Sequence, residues 1–349
     1  MRVARTVGAE RIAFAEEPEP AVRPGEVRVA VHAVSLCGTD LHIFEDDFPT
    51  DLPLIQGHEL SGVVIDAAVG TDFDAGDRVA VDPLVACGSC RACRRGRSNV
   101  CARLSVLGCY EDGGFVEVLS VPAARVHRVP KDLPLEIAAL GEPTSISLQA
   151  VSRAEPAAGA VALVLGCGPI GLLAALALSE RGVTVIAADT DPNRVALAER
   201  FGAAVALQVG AGFPDVDQAA RIADLTDGAG PDIVIEATGV PASLENAIRL
   251  VGSAGRIVQV GISPRAAQIT IKDLTDKEID LRGSRNSLGL IPDGLALLAR
   301  HPGAVAALVT HRFAFEDLEE AFRTMADPGI PSGKIIVLMP AATQAAVLA

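Results

Sequence analysis

Short runs of β-branched residues separated by turn formers occupy the first third of the chain. Residues 26–34 (EVRVAVHAV), 60–68 and 76–84 (GDRVAVDPL) are bounded by Gly, Pro and Asp, and the style continues to about residue 130, predicting a β-rich first region. From about residue 159 the pattern changes. AVALVL, VTVIAAD, DIVIEAT and GRIVQVG alternate with helical stretches such as 192–201 and 243–251, the signature of βαβ units around a parallel sheet. Beyond residue 302, HRFAFEDLEEAFRTM predicts one more amphipathic helix and GKIIVLM a last strand, whose sheet partner the local pattern does not specify. The alanine-rich tail after Pro340 reads as frayed.

Composition narrows the class. The 349 residues are half apolar, enough at roughly 150 per domain for two domains with a sizeable core. With 30 basic against 44 acidic side chains the net charge of −14 repels polyphosphate and anionic lipid, so neither nucleic acid nor a membrane is an expected partner. Residues 157–179 carry no charge over 23 positions, long enough to cross a bilayer, but Gly166, Gly168, Pro169 and Gly171 interrupt them and predict a strand, a turn and a helix. The first 14 residues hold three arginines with no apolar run behind them, so no secretory signal is expected and a cytoplasmic location follows.

Between AVALVL and LLAALALSER lies Gly166-Cys167-Gly168-Pro169-Ile170-Gly171, a G-x-G-x-x-G in the strand-to-helix setting that the motif requires. Such glycines let the backbone approach a pyrophosphate at a helix N-terminus, where unpaired N–H groups favour its charge. Asp189 stands 18 residues past Gly171, placed to accept from the adenosine ribose hydroxyls and to repel a 2′-phosphate, so NAD is the expected cofactor. Asp191, just before Pro192, reads as the N-cap of the next helix.

Of seven cysteines, an odd number, four crowd into 15 positions as Cys87-x2-Cys90-x2-Cys93-x7-Cys101, which suits a closed structural zinc shell better than a disulfide framework. Arg91, Arg94, Arg95 and Arg97 should help keep those sulfurs deprotonated. Cys37 in CGTDLH and His58-Glu59 in GHELSG are either an open zinc site or separately packed core residues. Glu142 is a further acid near the predicted domain junction, and Cys109 and Cys167 read as small core residues.

CGTDLH, GHELSG, CGSCRACRRGRSNVC, GEP and GCGPIG stand in the order and at the spacings of the zinc-dependent medium-chain alcohol and polyol dehydrogenases, and the chain resembles that family over nearly its whole length. The resemblance implies an α/β protein: a GroES-like β-rich catalytic domain over 1–148 and 300–349, with a structural zinc lobe at 87–101, and a doubly wound Rossmann NAD-binding domain over 149–299. It implies NAD and two zinc ions per chain. Cys37, His58 and Glu59 would surround the catalytic zinc, with Glu142 ligating directly or through water, and Thr39 and His42 would form a proton relay. Gly166, Gly168, Pro169, Ile170, Gly171, Asp189, Arg194, Val260, Gly261 and Ile262 would contact the cofactor, and Arg285 the substrate.

The implied reaction moves a hydride between a secondary alcohol and NAD, and the phrases VDPLVACGSC, GEPTSISLQAVSR and GSRNS look most like dehydrogenases of polyols and sugar acids. Threonine and butanediol dehydrogenases of the same family are the alternatives. Threonine dehydrogenases usually carry a histidine just before the structural cysteines, where Leu84-Val85-Ala86 stand here. A non-catalytic NAD- and zinc-binding regulatory protein is the competing class. The expected partners are a small-molecule substrate and further copies of the chain. A homotetramer is expected, through an edge strand that residues 255–275 would supply unless their strand is internal.

Overall fold

The computed structural model describes residues 1–340, so the alanine-rich tail lies outside them. The described chain forms two compact units, one of residues 1–145 with the segment from 287 onward, the other of residues 146–286. The second boundary falls before the helix Ile291–Arg300 rather than at residue 299/300, because that helix buries Ile291 and Leu295 and Leu295 packs onto Gly141 of the first unit.

In the first unit a seven-stranded sheet runs in the order Val309–Ala314, Lys334–Leu338, Glu26–Ser35, Glu59–Ala67, Arg78–Val81 and Val126–Arg128, with Val118–Pro122 also paired to Glu26–Ser35. EVRVAVHAVS alternates as a half-buried strand should: Val27, Val29 and Val31 are buried, with half-buried residues between them. The last strand returns to this sheet, Ile336 to Leu338 pairing antiparallel with Ser35 to Ala33.

HRFAFEDLEEAFRTM is not one helix. Val309–Ala314 is an edge strand parallel to the last strand, and the helix begins only at Leu318–Ala326. A short edge strand with alternating polar residues carries too little apolar period to be told from a first helical turn. That helix delivers Phe322 to the core, stacked on Phe44 with ring centroids 4.5 Å apart and 7° between planes.

The second unit holds a six-stranded, all-parallel sheet. Its strands, from edge to edge, are Ala203–Gln208, Thr184–Asp189, Val161–Leu165, Ile233–Glu236, Arg256–Gln259 and Asp280–Gly283. This is third, second, first, fourth, fifth, sixth in chain order, so the direction of winding reverses between Val161–Leu165 and Ile233–Glu236, where open sheets of this kind bind ligands. Residues 157–179 become the strand Val161–Leu165, a glycine turn and the helix Pro169–Ser179. Among the described residues no helix is long and apolar enough to cross a membrane. Within residues 255–275 the strand Arg256–Gln259 is internal, and the outer edge is Asp280–Gly283.

Phe322→Ala is expected to lower the stability of the first unit by about 3–5 kcal/mol, measured by urea unfolding, since it empties a fully buried ring site. A loss under about 1 kcal/mol would contradict this packing.

Candidate active site and structural metal lobe

Cys37 ends the strand Glu26–Ser35 two residues on and caps the helix Gly38–Phe44. Asp40, fully buried in that helix, accepts from the Cys37 backbone N–H at 3.0 Å and from the Gly57 N–H at 3.3 Å, while the Gln56 amide donates to the Asp40 carbonyl at 2.7 Å. One carboxylate thus fastens the Cys37 turn to the loop that carries His58. The same carboxylate faces His58 Nδ1 at 3.4 Å, leaving Nε2 as the free ligand atom. Burial opposes a charged imidazole here, but Asp40 and Cys109 together outweigh it, so the His58 pKa is raised. Cys109, buried as expected of a core residue, lies with its sulfur 3.7 Å from the same Nδ1.

Ligand atoms of Cys37, His58 and Glu59 lie within 4.8 Å of one another. Ligands about 2.0–2.3 Å from zinc stand about 3.3–3.8 Å apart, so small side-chain shifts close this set around an ion. Glu59 is also held from behind. Lys334 of the last strand donates to both its oxygens, at 2.5 and 2.6 Å, and to the Leu36 carbonyl at 3.1 Å. Lys334 is 4 % exposed, and although burial disfavours its charge, Glu59 raises its pKa above the ordinary lysine value. Glu142, on the helix Gly141–Ala154, is not brought into the set of three. It is buried nearby, and that burial pushes its pKa up to about 7, with the Glu59 charge adding to it and those of His58 and Lys334 opposing. Thr39 is half-buried and His42 exposed on the helix after Cys37, and His42 Nδ1 is 3.6 Å from Asp47.

Asp40 lies inside CGTDLH but is assigned no role there, and Lys334 belongs to no metal motif. The signals they leave are an acid three residues after a capping position and a lone lysine opening an apolar strand run.

Residues 87–101 form a lobe closed at its base by the antiparallel pair Leu84–Val85 and Ser105–Val106. Its sulfurs are 3.4 Å apart for Cys87 and Cys101, 3.5 Å for Cys90 and Cys93 and 3.9 Å for Cys90 and Cys101. Four sulfurs at about 2.3 Å from one zinc stand about 3.8 Å apart, so this cluster fits a closed tetrahedral site. Backbone N–H groups of Cys90 and Arg103 point at the Cys87 and Cys101 sulfurs. The Cys87 pKa is lowered to about 5, by a hydrogen bond from the Ser89 backbone and then by Arg103. Of the interleaved arginines, Arg94 binds the Ser89 carbonyl, and Arg103, outside that group, supports the thiolate.

In the second unit the glycine motif is a tight turn into the helix Pro169–Ser179. Gly166 has φ +98°, and a Cβ on Gly171 would sit 1.8 Å from the Gly166 carbonyl oxygen, so only glycine fits. Asp189, buried at the end of its strand, accepts from the N–H of Cys167 at 2.6 Å and of Asp191 at 2.9 Å. Asp191 caps the next helix as expected, accepting from Asn193 N–H at 2.8 Å. Arg194 reaches within 3.6 Å of Asp191. Ile170 follows Pro169 in the first helical turn, Val260 and Gly261 follow the strand Arg256–Gln259, and Ile262 is 84 % exposed. Arg285 is exposed just beyond the edge strand.

Residues 23–131 match the family described as alcohol dehydrogenase GroES-like domain, and residues 169–300 the one described as zinc-binding dehydrogenase. The chain belongs to the zinc-type medium-chain alcohol dehydrogenases. This dehydrogenase is 36 % identical over 305 residues to L-galactonate-5-dehydrogenase of Escherichia coli strain K12, covering 85 % of this chain and 87 % of that one. To L-threonine 3-dehydrogenase of Thermococcus kodakarensis it is 33 % identical, with 93 % of each covered. Among solved structures it is similar to an alcohol dehydrogenase (rspB) of E. coli CFT073 complexed with NADH, with a TM-score of 0.88 at 30 % identity, covering 97 % of this chain and 99 % of that one. The dehydrogenase is therefore an oxidoreductase with a GroES-like and a Rossmann part.

Lys334→Met is expected to cost about 3–5 kcal/mol in urea unfolding, because it strands a buried Glu59 carboxylate, and the double change with Glu59→Leu is expected to recover most of that loss. Equal destabilisation by the single and double variants would contradict the pairing.

Proposed function

We propose that the protein is an NAD-dependent, zinc-dependent dehydrogenase that moves a hydride between a secondary alcohol of a polyol or sugar acid and NAD. The observation that carries this reading is the convergence of Cys37, His58 and Glu59, in a chain that also holds a glycine turn closed by a buried acid. The first compact unit is the catalytic domain and the second binds the cofactor. A zinc ion held there would supply Lewis acidity that lowers the pKa of a substrate hydroxyl, and NAD bound to the second unit would supply the hydride acceptor.

The chain's own residues do the rest. Cys37, His58 and Glu59, the last tethered to Lys334, would surround the metal, with Glu142 ligating directly or through water. Thr39 takes the hydroxyl proton and His42, exposed on the same helix, passes it to solvent. Asp189 keeps lone pairs for the adenosine ribose hydroxyls and repels a 2′-phosphate, with Arg194 alongside. Pro169 and Ile170 open the helix toward the pyrophosphate, and Val260 to Ile262 flank the nicotinamide.

Arg285 offers a guanidinium that suits a substrate carboxylate in a bidentate pair, which favours a sugar acid over a neutral polyol. The galactonate dehydrogenase relative supports the same choice. The threonine dehydrogenase relative favours a second reading, oxidation of a hydroxy amino acid, whose carboxylate Arg285 would equally suit. Butanediol lacks the carboxylate that such a pair requires. Self-association into a tetramer would use the exposed edge strand Asp280–Gly283, where Leu281 is 41 % exposed. The free thiols of Cys109 and Cys167 suit a cytoplasmic, reducing location.

Zinc-replete protein assayed by NADH absorbance with aldonates, C4–C6 polyols, butanediol and threonine is expected to oxidise an aldonate or polyol. NADP is expected to be at least roughly tenfold less efficient. Failure of every aldonate and polyol to reduce NAD would contradict the substrate class.

A further inference from the structure

Glu236 ends the strand Ile233–Glu236, beside the point where the sheet reverses its winding, and is fully buried. Its carboxylate gathers four donors. Oε1 accepts from the Thr238 N–H at 2.9 Å and from the Thr238 hydroxyl, and Oε2 accepts from the Gly239 N–H at 3.1 Å and from Gln259 Nε2 at 2.5 Å. The Glu236 carbonyl accepts from the N–H groups of Val260 and Gly261, at 2.8 and 3.0 Å. Gln259 Nε2 also donates to the Gly261 carbonyl at 2.8 Å, while its own Oε1 is buried without a partner. The orientation of that amide follows from Glu236, since turning it round would set an oxygen against the carboxylate.

One buried anion therefore ties together two segments from different strands, Thr238–Gly239 and Gln259–Gly261. They are pressed close: a Cβ on Gly261 would meet the Gly239 nitrogen at 2.0 Å, and one on Gly239 the Ile262 carbonyl oxygen at 2.6 Å. Gly166 of the glycine turn lies against the same place, where a Cβ would meet Thr238 Cγ2 at 2.9 Å. The exposed Ile262 leaves the sheet directly from this knot.

We infer that Glu236 is a positioning residue for the nicotinamide half of the dinucleotide. It touches no reacting atom. It sets the height and spacing of the peptide groups on which the ring rests, while Asp189 serves the adenosine half independently. This rests on the NAD reading above. Charge-assisted bonds to a buried carboxylate are stronger than neutral ones, and a glutamine in its place turns an NH2 group toward donors that now point at a carboxylate oxygen.

The test compares two ligands in binding alone, NADH and ADP-ribose, which lacks the nicotinamide. In Glu236→Gln, titration calorimetry is expected to show NADH weakened by roughly tenfold or more and ADP-ribose changed by less than about twofold. Gln259→Met, which cuts only the link between the two segments, is expected to show the same pattern with a smaller loss, and it serves as the test if Glu236→Gln does not fold. Equal weakening of both ligands, or no weakening of NADH, in the folded variants overturns the inference. Wild-type protein that binds neither ligand overturns the NAD reading and this inference with it.

Discussion

Four potential anions, Cys37, Asp40, Glu59 and Glu142, are gathered in and around one mostly buried site, and the lysine that answers them arrives from the far end of the chain. Lys334 is separated by 275 residues from Glu59 and by 298 from Leu36, yet it binds both, closing the sheet around the turn that presents Cys37. Without a cation there, buried carboxylates would be pushed toward their neutral forms. Lys334 supplies that cation, donating to both oxygens of Glu59 beside the proposed metal site. The last strand is thus part of the site's chemistry as well as of the sheet.

Asp40 works on the other side of the same site. It fixes the helix start, the Gly57 turn and the imidazole orientation together, so the geometry of Cys37 and His58 is set by a residue that need not touch metal or substrate. Cys109 approaches the same imidazole nitrogen at 3.7 Å. In the second unit Asp189 and Glu236 play corresponding parts: buried carboxylates at strand ends, each satisfied by backbone N–H groups, hold the turns that face the dinucleotide in the proposed reading.

Local chemistry was legible in the sequence wherever spacing alone defines it. The glycine turn, the Asp191 cap and the four sulfurs of the lobe all involve residues close in sequence, so a pattern suffices. Cys37 and His58-Glu59 were readable as candidates, but their convergence depends on strand pairing that no local period records. Asp40, Lys334, Arg103 and Glu236 stayed hidden because each is defined by its partner. A lysine before an apolar run looks like an exposed strand end until the opposing carboxylate is known, and an acid closing IVIE looks like a surface residue until the donors around it are seen. Whether residues 255–275 held an edge or an internal strand stayed open for a similar reason: Arg256–Gln259 and Asp280–Gly283 differ in neighbours more than in pattern.

The central claim is that Cys37, His58 and Glu59 surround a catalytic zinc distinct from the one in the cysteine lobe. Zinc stoichiometry by plasma emission spectrometry on wild-type and Cys37→Ala protein tests it most directly. The account predicts two ions per chain in the wild type and one in the variant, with alcohol oxidation lost and the fold kept. A variant that retains both ions and its activity would contradict it.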